Sequence, residues 1–508
     1  MNENLTIRAT PAPSASWMNV MALLALTAPW LNPFAGGPMP AMQPWLAAIS
    51  CAAVLFGAQG IARSPLATPT LVAQAWLVAA LVSAGGGLIQ YFGYGEAFLP
   101  WVNQAGPGEA FGNLRQRNQF ATLMGIGLLA LTWKATGRRA TGGVVVAIVL
   151  LSLGNAASGS RTGTLQWVGI AALAAFWSVP GGRRPLRITV AALGTYGVAL
   201  LMLPPLLMLL TGTSTGGVLG RFSEQGGCAS RLVLWSNVLE LMAQKPWLGW
   251  GWGELDYAHY MTLYPGARFC DILDNAHNLP LHMAVELGIP LALAVCVGAG
   301  WVVWRAKPWR ETDPTRQMAW GVLAVIMLHS MLEYPLWYGP FQMAFGLCVW
   351  MLWPAPREPM TGSRPYAGAA AAIRLVVVTA LLAAVAYAAW DYHRISQLYL
   401  APQARDPAYR NDTLNKVRGS WLFRNQVEFA ELTTTSLRPG NAQWTFDTAT
   451  ALLHYSPEPR VIEKVIESAV MLGRDDEALL HLVRYRAAFP DDYTKWRHAN
   501  GLTGGPAD

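Results

Sequence analysis

Apolar runs long enough to cross a bilayer recur along most of this 508-residue chain, and they constrain its fold more than any other feature. A membrane-spanning helix needs roughly 20 predominantly apolar residues. The chain is 53% hydrophobic and only 13% charged, which is a composition typical of integral membrane proteins. We therefore predict an all-α polytopic membrane protein.

We predict eleven spans, and the first is retained because no small-residue cleavage site follows it. The spans are Ser16 to Leu31, Trp45 to Ala62, Leu71 to Leu88, Phe120 to Trp133, Gly142 to Leu153, Thr164 to Val179, Ile188 to Leu210, Leu279 to Trp304, Met318 to Leu332, Phe341 to Trp353 and Ile373 to Trp390. Residues 1–390 then form a membrane domain with a long loop at 211–278, and residues 391–508 form a separate tail.

The orientation in the membrane follows from the basic residues, which concentrate in alternate loops and mark those loops as cytoplasmic. They are Arg63, Lys134, Arg138, Arg139, Arg183, Arg184, Arg187, Arg305, Lys307, Arg310, Arg316, Arg357, Arg364 and Arg374. With eleven spans, the N-terminus is inside the cell, and loop 211–278 and the tail are outside. The net charge of +7 forms no clustered basic face, so we expect no nucleic-acid partner.

The tail is more charged than the rest of the chain. Two of its segments, Pro459 to Leu472 and Asp475 to Phe489, have helical periodicity and a turn between them. This pattern resembles the units of tetratricopeptide-like repeats, although two helices do not make an array. We expect a small helical domain that either binds a partner or serves as a packing cap.

Two of the five cysteines lie in the long outer loop. Cys51, Cys296 and Cys348 fall inside apolar spans, where a cysteine is most simply a core residue. In an oxidising compartment, Cys228 and Cys270 could form a disulfide that closes the loop.

Polar residues gather where the predicted outer loops meet the spans, a position that is costly unless such groups are used or paired. Gln116, Arg117 and Asn118 precede the fourth span and suit a sugar or a phosphate, the alternative being a solvated helix cap. In the turn Asn155 to Gly163, small residues surround Arg161, so that backbone amides and a guanidinium can meet an anion.

Arg231 lies in the long loop, at the start of a segment with helical spacing of Leu232, Trp235 and Leu239. This spacing predicts an amphipathic helix on the membrane surface. The guanidinium would then face lipid headgroups or the diphosphate of a lipid carrier.

His277 and Asn278 precede an apolar helix in the segment DILDNAHNLPLHMAVELG. A neutral imidazole at the membrane face can accept the proton of an attacking hydroxyl, and helix capping is the alternative role. His282 and Glu286 are four residues apart, so they share a helix face and can pair with each other.

The last polar cluster is the segment HSMLEYPLWYGPF at the end of the ninth span. Its His329 and Glu333 could orient His277 or contact a glycan, whose rings stack on aromatic side chains such as Tyr334 and Tyr338.

The chain lacks the ligand spacing of a zinc site, and the two carboxylates of Asp271 and Asp274 are not enough to predict a Mg²⁺ site. It also lacks a P-loop and a GxGxxG motif opening a helix. We therefore expect no metal and no nucleotide cofactor, and a substrate that is activated beforehand.

Five segments in this order, GNLRQRNQF, SGSRTG, the Arg231 helix, AHNLPLHMAVELG and LEYPLWYGPF, resemble the bacterial O-antigen ligase and polymerase superfamily. Within it they are most similar to the PglL-type protein O-oligosaccharyltransferases. The resemblance covers Gly112 to Pro340, and the outer tail is a further similarity. It implies a GT-C-like glycosyltransferase in the bacterial inner membrane, with the active site and the tail in the periplasm.

The resemblance also implies a mechanism. Arg161 and Arg231, with Arg117, would hold the diphosphate of an undecaprenyl diphosphate-linked oligosaccharide. His277, which matches the family's essential histidine, would accept the proton of a serine or threonine hydroxyl on a pilin-like or other periplasmic protein. The transfer would invert the linkage and need no metal. The residues that would position the substrates are Gln116, Asn118, Asn278, His329, Glu333, Tyr334 and Tyr338.

Three other functions stay open at this point. An O-antigen ligase would use the same donor and histidine with lipid A-core as the acceptor. A Wzy-like polymerase is a further member of the superfamily. A lipid-linked glycan transporter would do no chemistry, but transporters place charge at the bilayer midplane, whereas here the polar residues gather at one face.

Overall fold

A computed structural model of the chain describes residues 14–34, 37–61, 66–135, 142–178, 183–215, 227–353 and 367–501. Within these ranges all regular structure is helical. The α-helices are α1 (Ser14–Leu31), α2 (Met42–Ile61), α3 (Pro69–Tyr91), α4 (Arg117–Ala135), α5 (Gly142–Ser158), α6 (Arg161–Trp177), α7 (Arg184–Thr211), α8 (Arg231–Gln244), α9 (Leu255–Met261), α10 (Leu279–Leu287), α11 (Ile289–Ala306), α12 (Pro314–Ser330), α13 (Gly339–Leu352), α14 (Ala367–Ser396), α15 (Thr413–Val417), α16 (Arg424–Thr434), α17 (Ala442–Leu452), α18 (Pro459–Met471), α19 (Asp475–Ala488) and α20 (Pro490–Ala499).

Five of the described helices, α2, α3, α7, α11 and α14, are long and apolar enough to cross a membrane. Helices α1, α5 and α13 are apolar but shorter. Large apolar side chains project from α11 and α14 without protein cover, as they do from helices surrounded by lipid. The chain is therefore a helical membrane protein.

Ten of the eleven predicted spans fall on single helices whose ends differ by a few residues. The prediction of one helix from Leu279 to Trp304 is wrong, because the structure divides it into α10 and α11 at Gly288. Gly288 has φ +89°, and Pro290 follows it without the N–H that a continuous helix needs.

The predicted outer turn Asn155 to Gly163 is also shorter than expected. Helix α5 continues to Ser158 and buries Asn155, and α6 begins at Arg161. Only Gly159 and Ser160 lie between the two helices, since Ser160 caps α6 by accepting a hydrogen bond from the amide of Gly163.

Part of the sequence that set the predicted orientation lies outside the described residues. This applies to Arg63, Arg138, Arg139, Arg357 and Arg364, and to residues 216–226 of the long loop. The orientation therefore remains a prediction.

Contacts within the chain divide it into two compact units. The first unit contains Met1–Ser223, Lys307–His329 and Pro335–Ala389, and the second contains Glu224–Ala306, Ser330–Tyr334 and Trp390–Asp508. The boundary after Ala389 lies one residue before the predicted end of the membrane domain. From Glu224 onward, however, the long loop groups with the tail.

The first unit packs its helices through small residues. The ring of Phe120 on α4 lies where a side chain at Gly87 of α3 would sit, and Ala80 of α3 lies against Gly127 of α4. Since lipid offers no hydrophobic driving force for helix association, close packing of this kind is what holds membrane helices together.

In the second unit, the loop helix α9 belongs to the core of the tail. Tyr260 is 2% exposed there, and its hydroxyl lies 2.9 Å from Nδ1 of His481. The ring of Tyr257 stacks on His454 at 3.7 Å, and Nδ1 of His454 lies 2.7 Å from a carboxylate oxygen of Glu254. The tail therefore has a packing partner within its own chain.

A disulfide between Cys228 and Cys270 closes the loop in the same unit, with a Cα–Cα distance of 5.2 Å. Cys228 lies three residues before the start of α8, and Cys270 precedes the segment that leads to α10. The bridge therefore ties the chain that enters α8 to the chain that enters α10.

Asp256 on α9 is a buried carboxyl group, 9% exposed. Burial raises its pKa to about 7, and the nearby carboxylates of Asp274 and Glu254 add to this effect. The Oδ1 atom of Asp256 accepts a hydrogen bond from the amide of Tyr257 at 2.7 Å, and this bond lowers the pKa and so partly offsets the effect of burial. The folded unit therefore favours the protonated form.

We expect Gly288→Ala to destabilise the protein, because Gly288 has a positive φ and a Cβ there would collide with the carbonyl of Trp247. The strained backbone alone should cost on the order of 1–3 kcal/mol. Thermal unfolding in detergent measures this. The control is Gly298→Ala on α11, where a Cβ meets no atom within 4 Å. Equal unfolding temperatures for the two variants would contradict the prediction.

We expect Asp256→Asn to make stability less dependent on pH. Because the folded state raises this pKa from 3.8 to about 7, it binds more protons than the unfolded chain between these values, and stability is lost as pH rises through that window. Asparagine keeps the acceptor for Tyr257 but does not titrate. The variant should gain on the order of a few kcal/mol relative to wild type by pH 8.

Unfolding temperatures between pH 5 and pH 8 test this, with Asp475→Asn at an exposed carboxylate on α19 as the control. Parallel curves for wild type and Asp256→Asn would show that Asp256 carries no such proton.

Candidate functional site

His277 lies in the second unit, two residues before α10, in a backbone conformation that few side chains adopt. Its φ is +51°, in the left-handed region. The Oδ1 atom of Asn275 accepts a hydrogen bond from the amide of His277 at 2.9 Å, so that a local turn supports the conformation. Strain of this kind persists where the surroundings hold it, and it is common at functional sites.

Asn278, the next residue, is the N-cap of α10. Its Oδ1 atom accepts a hydrogen bond from the amide of Leu281 at 3.1 Å, and its Nδ2 donates to the carbonyl of Met331 at 3.0 Å. The helix cap thus belongs to the asparagine and leaves the imidazole of His277 for other contacts. The second bond fixes α10 to the segment that carries Glu333.

Glu333 joins the two residues expected to do most of the chemistry. One carboxylate oxygen pairs with the guanidinium of Arg231, and the other lies 2.6 Å from Nδ1 of His277. A carboxylate can only accept, so Nδ1 of His277 carries the proton and donates. The Nε2 atom is then the ring nitrogen that can accept a proton from a substrate.

The side chains around this triad remain partly open to solvent. Those of His277 and Arg231 are 19% and 37% exposed, whereas that of Glu333 is 11% exposed. The ring of Tyr334 meets that of His277 edge-on at 5.0 Å. The site therefore keeps its carboxylate covered and leaves the imidazole and the guanidinium accessible.

Arg231 opens α8, as predicted, and α8 has an apolar buried side and an apolar exposed side. Leu234 and Val238 are buried, whereas Leu232 is 79% exposed. Nε1 of Trp235 donates to the carbonyl of Ala276 at 3.0 Å, next to His277. The helix therefore supports both the arginine and the backbone at the histidine.

A second carboxyl group, that of Asp274, lies near His277. Desolvation raises the pKa of Asp274 even though this residue is exposed, and the nearby imidazole of His277 acts in the opposite direction. His282 and Glu286 on α10 lie 3.5 Å apart, which confirms that they pair along the helix. They form a pair of their own on α10.

The first unit collects another group of predicted site residues at the starts of α4 and α6. Ser160 donates to Oδ1 of Asn118 at 2.6 Å, and this bond joins the two helix starts. Arg161 is the first residue of α6 and is exposed. Gln116 accepts a hydrogen bond from the amide of Gln119 at 2.6 Å. Gln116 therefore caps α4.

Arg117 forms a salt bridge with Glu109, which lies outside the motif that contains Arg117. Its side chain is 29% exposed. Two of the three predicted diphosphate ligands are therefore paired with a carboxylate. Arg117 pairs with Glu109 in the first unit, and Arg231 pairs with Glu333 in the second.

His329 and Tyr338 occupy other places in the first unit. His329 is fully buried on α12, and its Nδ1 lies 2.9 Å from the hydroxyl of Thr122 on α4. Tyr338 is half-buried immediately before α13 and contributes backbone hydrogen bonds there. The imidazole of His329 thus takes part in packing between helices.

Two residues of structural importance to the site were missed. Asn275, which supports the backbone of His277, lies in the segment DILDNAHNLPLHMAVELG but was given no role from the sequence. Gln166, buried on α6, donates to Thr122 at 2.8 Å and to the carbonyl of Val325 at 2.9 Å. A polar residue within an apolar span is the signal that could have pointed to Gln166.

The residues of the second unit provide a general base, His277, and a nearby cation, Arg231. His277 offers one oriented nitrogen, Glu333 stabilises the imidazolium that forms when this nitrogen is protonated, and Arg231 supplies a permanent charge with further N–H donors for an anion. Within the described residues, no three His, Cys, Asp or Glu side chains are grouped as metal ligands.

Three family models match separate parts of the chain. The model of an O-antigen ligase matches residues 146–296, which include Arg161, Arg231 and His277. The model of a protein glycosylation ligase matches residues 110–134. The model described as the C-terminal part of a virulence factor membrane-bound polymerase matches residues 317–501.

One curated relative is a general O-oligosaccharyltransferase from Acinetobacter baylyi, which is 24% identical over 270 residues. The match covers 51% of this chain and 46% of the relative, so the chain spans about half the length of that protein. No solved structure gives a significant match. The family models and this relative confirm the resemblance to the bacterial O-antigen ligase and polymerase superfamily that the sequence motifs indicate.

Proposed function

We propose that the protein is an O-oligosaccharyltransferase that moves a glycan from undecaprenyl diphosphate to serine or threonine hydroxyls of periplasmic or pilin-like proteins. The observation that carries this proposal is the contact of Glu333 with both His277 and Arg231. It supplies an oriented base beside a cation, and these are the groups that glycan transfer from a lipid diphosphate requires.

In the proposed reaction, Nε2 of His277 takes the proton of the acceptor hydroxyl. The oxygen attacks the anomeric carbon, a new glycosidic bond forms, and the bond from that carbon to the diphosphate oxygen breaks. Undecaprenyl diphosphate leaves with the electron pair, and the linkage inverts in this single displacement. The Glu333 carboxylate stabilises the imidazolium that His277 becomes.

Arginines hold the diphosphate and offset the charge that develops as it leaves. Arg231 uses one terminal nitrogen on Glu333, and its guanidinium has other N–H groups to offer. Arg161 is exposed at the first position of α6, where the positive end of the helix dipole also favours an anion. Arg117, paired with Glu109, is the weaker candidate.

The remaining predicted residues position the substrates or the helices that carry the reactive groups. Asn278 fixes the start of α10, and Tyr334 lies beside the ring of His277 and can stack on a sugar or the acceptor. Gln116 and Asn118 order the starts of α4 and α6. The half-buried Tyr338 is a candidate contact for the glycan, and the buried His329 acts through helix packing.

The acceptor distinguishes the main alternative, an O-antigen ligase that transfers the glycan to lipid A-core. The match to an O-antigen ligase model supports that alternative. The match to a protein glycosylation ligase model and the name of the Acinetobacter baylyi relative favour a protein acceptor. A transporter would not need the Glu333–His277 pair.

We place the protein in the bacterial inner membrane, with a cytoplasmic N-terminus and eleven spans. The site around His277 and the tail then face the periplasm. This placement rests on the distribution of Lys and Arg along the sequence.

The test of the function is transfer by purified protein in detergent, from an undecaprenyl diphosphate-linked glycan to a pilin-like protein or to lipid A-core. We expect glycan on the protein, no effect of EDTA, and a 10²- to 10⁴-fold loss of turnover in His277→Ala, the range for a general base. Transfer only to lipid A-core would identify a ligase. Wild-type turnover in His277→Ala would contradict the assigned base.

A second prediction concerns Glu333→Gln, which keeps the shape of the side chain and removes its charge. We expect kcat to fall roughly 10- to 100-fold, because the imidazolium of His277 loses its counter-charge, while KM for the acceptor changes less. The matched control is Glu311→Gln, which breaks another covered Glu–Arg pair, the one with Arg316. A Glu333→Gln enzyme with wild-type kcat would rule out the proposed role.

A further inference from the structure

The segment Pro246–Trp252, with the sequence PWLGWGW, connects α8 to the chain before α9, and we name it the tryptophan loop. Its large apolar side chains project outward: Trp247 is 76% exposed, Leu248 is 85% exposed and Trp252 is 65% exposed. Exposing this much contiguous apolar surface to water is unfavourable, and patches of this kind mark contact with a partner or a membrane.

Backbone hydrogen bonds attach the tryptophan loop to the junction between α10 and α11. The carbonyl of Pro246 accepts from the amide of Ile289 at 2.9 Å, and the amides of Trp250 and Gly251 donate to the carbonyls of Val285 and Glu286, both at 2.9 Å. Glycines at both sides of the contact, Gly249 and Gly288, leave no room for a Cβ. The loop is therefore held at the first residue of α11.

Helix α11 is a candidate membrane span, and of its residues only Ala292 is buried. Its other end carries Trp301 and Trp304, which are 64% and 69% exposed, followed by Arg305. Sixteen residues from Ile289 to Trp304 cover about 24 Å of helix. Exposed tryptophans at both ends of an apolar span are the pattern of the two membrane interfaces.

We propose that the tryptophan loop is a membrane-interface anchor, whose occupant is the lipid of the leaflet at the start of α11. Trp247 and Leu248 enter the headgroup and upper acyl region. Lys245, whose Nζ lies 3.9 Å from the ring centre of Trp250, adds a positive charge suited to anionic headgroups. A glycan or a protein partner would not explain why the loop is fixed to the end of a span.

This anchor determines how far the reactive groups lie from the lipid. Helices α8 and α10 pack together, and the loop meets the C-terminal end of each. Arg231 and His277 lie at the N-terminal ends, where Glu333 joins them. The nine residues of α10 separate His277 from the loop by about 13 Å of helix. Lipid contact at the C-terminal ends of α8 and α10 thus fixes the distance between the membrane surface and the reactive groups at their N-terminal ends.

The test is the depth of a nitroxide label, measured by electron paramagnetic resonance on the full-length protein in lipid nanodiscs. A background without the free cysteines Cys51, Cys296 and Cys348 carries a single label at Leu248→Cys. The matched control is Leu479→Cys, a leucine 58% exposed on α19, beside the acidic first turn of that helix. Both changes replace exposed side chains, and neither touches the proposed reactive groups.

We expect the label at position 248 to collide more often with oxygen, which concentrates in lipid, than with a water-soluble nickel chelate, and the label at 479 to show the reverse. Nickel accessibility at 248 equal to that at 479 would overturn the proposal, as would a label at 248 shielded from both reagents, which would indicate a protein or glycan partner. Because no step of glycan transfer is measured, the outcome is independent of the proposed function.

Discussion

The carboxylate of Glu333 is the contact on which the candidate site depends, because it binds residues from two distant parts of the chain. Arg231 precedes it by 102 positions and His277 by 56. Removing either partner would leave one oxygen of the covered carboxylate without its hydrogen-bond donor, so the pairings support one another. The disulfide and the Asn278–Met331 bond restrict the same three segments, and the geometry at His277 is thereby set before any substrate arrives.

Membrane class and helix positions could be predicted from the sequence because the apolar runs that predict them are local. The prediction of one continuous helix through Gly288 was wrong because the cause of the break is not local. A glycine and a proline inside an apolar run are tolerated in many membrane helices. Here the break is used to dock the tryptophan loop, and the residues of that loop lie about 40 positions earlier in the chain.

The individual residues of the site could be predicted by type, but their pairings could not. An arginine, a histidine and a glutamate near the same predicted membrane face suggested shared chemistry, and Glu333 was expected to orient the histidine or to contact a glycan. That one carboxylate would hold both residues depends on how α8, α10 and Met331 pack. The same holds for Arg117, whose pairing with Glu109 involves a residue outside the motif that drew attention to it.

The tail packs against the long loop within the second unit. Its helices bury Tyr260 of the loop helix α9, and α9 continues through the disulfide-closed loop toward Asp274 and His277. The thirteen residues between Met261 and Asn275 connect α9 to the segment that carries His277. Arg268, within this connection, donates to the carbonyl of Thr262 and to that of His259 on α9, so these hydrogen bonds tie the connection to the helix. The tail core and the chain that leads to His277 are therefore linked through α9 within the second unit.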